Sequence, residues 1–278
     1  QDLTQEAVAL GLSRQEAQWV LGEALGCTRS WMIAHDQDPL PAEGVQRARD
    51  WLRARADDVP LAYLSGHKEF HGHRFAVSPA VLVPRPDTEV LVDWALALLA
   101  GPLAGLAQPQ AIDLGTGSGA IAISVKKACA RVAMQAVDLS PDALAMAQRN
   151  ARELQAEVAF HCGSWWQPVP ADPRLDLVLS NPPYIAGGDP HLPALRHEPR
   201  LALTPEGDGL DAYRALVAGL PGRLSPGAWV LFEHGYDQGE ALRGLLGQAG
   251  LTQVETRQDL GGNDRVTGGR WPACRRNR

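Results

Sequence analysis

From Asp87 onward, short apolar runs of strand type alternate with longer stretches of helix type, and this alternation constrains the fold more than any other feature. Strand-like runs occur at Ala111–Leu114, Val132–Val137, Val158–His161, Leu175–Leu179 and Trp229–Glu233. Helix-like stretches begin near Gly119, Asp142, Asp211 and Gln238, and Asp87 is placed to cap an apolar helix running through Leu99. Gln253–Thr256 and Asp264–Thr267 read as two closing strands. Parallel strands joined by crossover helices give a doubly wound α/β sheet with helices on both faces. With 278 residues, 45% of them apolar, the chain has material for this domain and a smaller one beside it.

The smaller one comes first and is helical. Ser13-Arg14-Gln15-Glu16 fits a capping box, followed by Ala17, Val20, Leu21, Ala24 and Leu25 at helical spacing. Thr28 is placed to cap a short helix through Trp31 and Ile33, and Pro41 to open another that carries Val45, Ala48, Trp51 and Leu52. Arg47, Arg49, Arg53 and Arg55 on that last helix read as a solvated face, with a docking surface as the sharper alternative. Pro60 is expected to close the region. Alternating runs around Gly72, Lys68–Phe70 and Arg74–Val77, then predict a β-hairpin. The expected division is a helical domain over 1–66, a hairpin linker over 67–83 and the α/β domain over 84–278.

Ala111-Ile112-Asp113-Leu114-Gly115-Thr116-Gly117-Ser118-Gly119-Ala120 reads as a buried strand, a glycine turn and a helix start. Glycines permit unusual dihedrals and close approach of a ligand to the main chain, and free amides at the helix start favour an anionic group. Gly115, Gly117 and Ala120 also satisfy a dinucleotide pattern, so the loop alone does not separate NAD from S-adenosylmethionine. Asp138 ends the second strand at the spacing where such folds place an acid on ribose hydroxyls; the alternative is a cap for the next helix. Asp113, directly before the glycines where dinucleotide sites are apolar, tilts the reading towards S-adenosylmethionine, whose ammonium an acid can face.

Ser180-Asn181-Pro182-Pro183-Tyr184 follows the fourth strand of the sheet, and ligands of open α/β sheets bind outside the carboxyl ends of strands. The glycine loop and this motif should therefore converge. An amide or aromatic amine nitrogen is a poor nucleophile because its lone pair is delocalised. The Asn181 side-chain oxygen and the Pro182 carbonyl can each accept one N–H of an NH2 group and aim its lone pair at a methyl donor. Such positioning can contribute ~7 kcal/mol or more. The prolines, Pro182 and Pro183, stiffen the loop, and Tyr184 offers a face for a planar group.

With the glycine loop, Asn-Pro-Pro-Tyr resembles the amino-methyltransferases that act on adenine, cytosine, guanine or glutamine nitrogen. Val83–Glu89, Phe232-Glu233-His234-Gly235 and Gly262-Asn263-Asp264-Arg265-Val266 narrow the resemblance to the HemK/PrmC family, the release-factor glutamine methyltransferases. The helical N-terminal region and hairpin fit that family too. The resemblance implies a Rossmann-like S-adenosylmethionine-dependent methyltransferase sheet with a small N-terminal helical domain joined by a β-hairpin. It implies cytoplasmic methylation of the glutamine in the Gly-Gly-Gln loop of class 1 peptide chain release factors. It maps Gly115–Gly119, Asp138, an aromatic near Trp165 and Asn181 onto the cofactor site, and Asn181–Tyr184 onto the target glutamine. The family tends to show an acid and then an aromatic after the third strand, where this chain has Gly163-Ser164-Trp165-Trp166. Either tryptophan can flank the adenine; Trp165 is preferred and Trp166 is read as buried structure.

Other features bound the function. A net charge of −6 argues against a stable nucleic-acid complex, although a nucleic-acid amino-methyltransferase using the same Asn-Pro-Pro-Tyr chemistry is the runner-up. Cys27, Cys129, Cys162 and Cys274 lack metal-ligand spacing and read as reduced thiols, and no metal site is expected. No apolar run reaches membrane-spanning length and no signal peptide is recognised, while Gln1 in place of a methionine suggests that a short N-terminal piece is missing. Arg85 stands open between pairing with a cofactor carboxylate and ordering the interdomain linker. Glu233 and His234 resemble an acid–base pair, but methyl transfer from a sulfonium needs no strong base, so a structural role is preferred. The irregular, proline-containing segment Gly187–Thr204, with His191 and His197, reads as a substrate-facing loop.

Overall fold

The computed structural model describes residues 3–35, 38–170, 172 and 174–272, so Gln1 and Cys274 lie outside the described residues. The chain forms two compact units, Gln1–His67 and Lys68–Arg278.

The first unit holds helices α1 (Leu3–Ala9), α2 (Arg14–Leu25), α3 (Arg29–Ala34), α4 (Ala42–Ala56) and α5 (Leu61–Ser65). Ser13 and Glu16 close the capping box on α2, and the Thr28 hydroxyl accepts from the Trp31 amide to start α3. Leu3, Ala7, Val20, Leu21, Ala48 and Leu52 form its core. Two expectations change here. Pro60 does not close the region but precedes α5, because a proline at a helix start gives up no backbone bond. The arginines of α4 are not a uniformly solvated face: Arg49 donates twice to Glu6 at 2.9 Å, Arg55 donates to Glu16 at 3.2 Å and Arg47 to the Ala24 carbonyl at 2.6 Å. They tie α4 to α1 and α2, and only Arg53, paired with Asp50 within its own helix, fits the solvated reading.

β1 (His67–Phe70) and β2 (His73–Ala76) pair as a two-stranded sheet. The second unit then runs α6 (Glu89–Ala100), β3 (Gln110–Leu114), α7 (Ala120–Ala128), β4 (Ala133–Asp138), α8 (Pro141–Glu153), β5 (Val158–Cys162), β6 (Leu175–Ser180), α9 (Arg200–Leu203), α10 (Asp211–Ala218), β7 (Leu224–Glu233), α11 (Gly239–Gln248), β8 (Thr252–Gln258) and β9 (Asp264–Arg270). Its seven strands lie in the order β5-β4-β3-β6-β7-β9-β8, parallel except for β9, which runs antiparallel to β7 and β8. Alternation along the strands feeds two cores. Ala111, Leu177, Leu179 and Leu231 pack on the face covered by α6 and α7, and Ile112, Leu114, Val178 and Val230 on the face that holds Tyr213 and Leu242. Asp87 does not cap α6; it lies in a 3-10 turn, Pro86–Thr88, with its carboxylate 3.4 Å from Arg265. No helix among the described residues is long and apolar enough to cross a membrane.

The chain leaves β3 for β4 on one side, while β6 pairs on the other side of β3. Strand order reverses there, and the ends of β3 and β6 open a crevice between their loops.

Candidate active site

A cavity of about 640 Å³ occupies that crevice. Its walls include Gly115, Thr116, Gly117, Ser118, Asp138, Trp165, Asn181, Pro183 and Arg85, so most of the residues singled out in the sequence come together. Asp113, Gly119, Pro182 and Tyr184 do not border it.

The glycine loop takes its shape from contacts that side chains would block. Gly115 has φ 79°, and a Cβ there would lie 3.3 Å from the Trp165 ring. Gly119, φ 82°, is the turn into α7; a Cβ would meet Ile123 at 2.8 Å and Ala147 at 3.2 Å. The Gly115 and Thr116 amides donate to the Val137 carbonyl, and the Gly117 amide donates to the Asp138 carboxylate at 2.8 Å. The other Asp138 oxygen accepts from the Ser140 amide at 2.9 Å. The helix cap of α8 is Ser140, whose hydroxyl accepts from the Ala143 amide, so Asp138 is free of that task. Burial pushes the Asp138 carboxyl up, against the pull of the amides that donate to it. A carboxylate offers about four acceptor positions, so Asp138 keeps capacity for hydroxyl donors from the cavity.

Asp113 lies on the opposite side of its strand from Ile112 and Leu114 and is fully buried. The Thr116 hydroxyl donates to Oδ2 at 2.7 Å, and Oδ1 has no partner among the described residues. Burial pushes its carboxyl up to about 7, while Thr116 and the Ala122 amide pull it down. Asp113 thus anchors the loop and the start of α7 from beneath.

The two tryptophans divide sharply. Trp165, at φ 45°, lays its ring against Gly115 and borders the cavity. Trp166 is buried, donates from its indole to the Leu216 carbonyl at 2.9 Å and packs so closely that a Cβ on Gly219 would fall 1.9 Å from its ring.

Across the cavity, Asn181 is half-buried at the end of β6, and its Nδ2 donates to the Thr88 hydroxyl at 3.4 Å. With Nδ2 so directed, its side-chain oxygen remains as an acceptor. Tyr184 packs beside Tyr213 and Phe232 in the second core; burial first, then the nearby Glu233 charge, push its hydroxyl up to about 12. Arg85 pairs with buried Glu198, which also accepts from the Val83 amide. That pair joins residues 83–85 to the segment after the motif. Within this segment, Pro199, Arg200, Leu201, Ala202 and Thr204 border the cavity, and α9 is a single short turn there. His234 is buried, with its ring nitrogens on the Gly235 carbonyl and the Thr267 hydroxyl, away from any acid–base pairing with Glu233.

Sequence reasoning missed Thr88, Ala80–Val83 and, after Asp138, Leu139, Ser140, Asp142 and Ala143, all of which line the cavity. The position of Leu139–Ala143 directly after an acid at a strand end was a usable signal. Nothing local marked Glu198.

The sheet order, the glycine turn after β3 and the Asn-Pro-Pro-Tyr loop after β6 define the class as an α/β methyltransferase fold. Residues 88–207 match the family described as methyltransferase small domain, and residues 5–66 match the PrmC N-terminal domain. A release factor glutamine methyltransferase of Bordetella pertussis is 49% identical over 93% of this chain and 95% of its own length. Another, of Neisseria gonorrhoeae, is 43% identical over 94% and 96%. Among solved structures, a 16S rRNA methyltransferase of T. thermophilus in complex with AdoMet and guanosine is similar with a TM-score of 0.54 at 18% identity, over 74% of this chain and 49% of that one, a likeness of fold. The chain belongs to the release factor glutamine methyltransferase family.

Proposed function

We propose that this protein transfers a methyl group from S-adenosylmethionine to the side-chain amide nitrogen of the glutamine in the Gly-Gly-Gln loop of class 1 release factors. The observation that carries the reading is the placement of Asn181 across one cavity from the glycine loop and Asp138. The cofactor fits the cavity on its own terms. A glycine turn at positive φ packed closely against an aromatic ring, and a carboxylate with spare acceptor capacity, suit a nucleoside carried on a charged tail. Asp138 would hold the ribose hydroxyls and Trp165 the adenine, the backbone of the Gly115–Gly119 turn would lie close along the tail, and the cofactor supplies an electrophilic methyl on a sulfonium.

The remaining chemistry belongs to the chain. Asn181 accepts one N–H of the target amide through its side-chain oxygen, and Pro182 accepts the other through its carbonyl. Two acceptors fix the plane of the NH2 group and favour pyramidalisation, which orients the lone pair. This preference is worth most as the transition state forms. Tyr184, the half-buried last residue of the motif, lies behind the cavity wall in the second core and would present its ring to the amide plane from there. The proton leaves to water after transfer, so neither Glu233 nor His234 is needed as a base. The helical N-terminal unit supplies part of the surface that docks the factor, and the reaction belongs in the cytoplasm, where release factors act.

A primary amide can donate both hydrogens, whereas a carboxylate donates none. Labelled-methyl transfer to purified release factor should therefore be strong, and lost when the target glutamine is replaced by glutamate, because buried acceptors would face a negative charge. A short Gly-Gly-Gln peptide should react more poorly than the folded factor. Efficient labelling of DNA or RNA with none on the factor would overturn the reading.

A further inference from the structure

Glu233 ends β7 only 1% exposed, and the chemistry above leaves it without a task. A carboxyl at that depth is costly unless hydrogen-bonded or paired. What faces it is the target side of the cavity: Glu233 follows Phe232, which pairs with Ser180, so it ends β7 beside Asn181, whose amide is bonded to Thr88, while Oε2 has no partner among the described residues. The charged and titratable groups around it are Arg265, Asp87, Tyr184 and Tyr213; the Tyr213 hydroxyl donates to the Glu233 carbonyl at 2.7 Å. Burial pushes the Glu233 carboxyl up to about 7, opposed by Thr88, Arg265 and Asn181 and assisted by the Asp87 charge.

An asparagine amide has an accepting end and a donating end of nearly equal size, so packing alone hardly distinguishes its two flips. Only one flip presents the oxygen to an NH2 group. The bond from Nδ2 to Thr88, at 3.4 Å, lies at the long limit and is a weak constraint. An ionised carboxylate accepts hydrogen bonds and donates none, so a carboxylate behind Asn181 favours the flip with Nδ2 turned inward.

We infer that Glu233 is a positioning residue: ionised, it draws the Asn181 Nδ2 and the Thr88 hydroxyl inward and so holds the Asn181 side-chain oxygen towards the target nitrogen. The inference rests on the proposed role of Asn181 in glutamine methylation. Three side chains from separate segments meet there: the Thr88 oxygen accepts from Asn181, and Thr88 and Asn181 both hold the Glu233 carboxyl down. Protonating Glu233 introduces a donor and removes the preference between flips. The ionised form is the productive one, so turnover rises with pH through the range in which Glu233 titrates.

The test reads the Asn181 side-chain amide directly, by nuclear magnetic resonance on the full chain, with its signals identified by their loss in Asn181→Asp. In the parent these signals should titrate with a midpoint near 7 and exchange slowly with solvent. In Glu233→Gln the titration should vanish and exchange should quicken roughly tenfold, the loss of one ordinary hydrogen bond. The same variant should lose about tenfold or more in kcat, with a flat pH profile near neutrality and S-adenosylmethionine affinity within about twofold of the parent. Parent signals that do not titrate, or a folded Glu233→Gln variant with full turnover and an unchanged pH profile, would overturn the inference. The parent titration needs no variant to fold. If the parent methylates no glutamine yet its Asn181 amide titrates with Glu233, the positioning stands and the functional reading falls.

Discussion

The two walls of the cavity are built by opposite means. The glycine wall is main chain, and its polar groups are matched: Gly115, Thr116 and Gly117 spend their amides on Val137 and Asp138, and Asp138 takes the Ser140 amide as well. The facing wall is side chain, and its matching is incomplete. Asn181 makes one long bond to Thr88, and behind it Glu233 keeps an oxygen without a partner among the described residues. On the proposed function the difference follows from the two tasks. A cofactor of fixed shape is held by a surface that is complete before it arrives. A nitrogen that changes geometry during reaction calls for acceptors still uncommitted in the resting protein.

Breaking each wall in turn should therefore move different quantities. The largest effect is expected for Asn181→Ala, which should lower kcat roughly 10²–10³-fold, the scale on which loss of one preorganised hydrogen-bonding group acts. Its affinity for S-adenosylmethionine, read by calorimetry, should change far less. Asp138→Ala should do the reverse and weaken cofactor binding by about 1.5–3 kcal/mol, with the smaller change in kcat at saturation. If both substitutions fell on the same parameter, the division between the walls would be lost.

The smallest expected effect sharpens the comparison beneath the glycine wall. The Asp113 carboxyl, pushed up to about 7 by burial from an ordinary 3.8, keeps its proton in the folded chain where the unfolded chain has lost it. Stability belonging to the protonated group is complete below about 4 and is lost as pH rises through about 7. Asp113→Asn cannot titrate, so part of the decline in urea midpoint between those limits should disappear, leaving the variant more stable relative to the parent at higher pH than at lower pH. Cofactor affinity should follow this substitution only weakly, since Asp113 does not border the cavity. A pH profile of stability identical to the parent's would show that Asp113 is ionised throughout.

Much of this was legible in the sequence because the α/β unit obeys local rules. The strand runs and glycine turn fixed where the crevice opens, and the reversal of strand order brings Gly115–Ser118, Asp138 and Asn181 together there. What escaped depends on which way a side chain faces. Asp113 precedes the glycines in sequence, yet strand alternation turns it under α7 and away from the cavity, which becomes visible only once the two sheet faces are assigned. Glu198 is a lone acid in an irregular segment, and its partners Val83 and Arg85 lie more than a hundred residues away. The arginines of α4 read as solvated because helical spacing shows which residues share a face, not which neighbouring helix lies opposite. Pro60 was ambiguous for a local reason, since proline serves equally after one helix and before the next.

The most direct test of the central claim, that both walls serve one transfer to a release-factor glutamine, is mass spectrometry of the Gly-Gly-Gln peptide from cells lacking this protein. The peptide should be unmethylated in those cells, methylated on the glutamine side chain when the parent chain is restored, and unmethylated when Asn181→Ala is supplied instead. A peptide that stays fully methylated without the protein, or that Asn181→Ala restores as well as the parent does, would contradict the account.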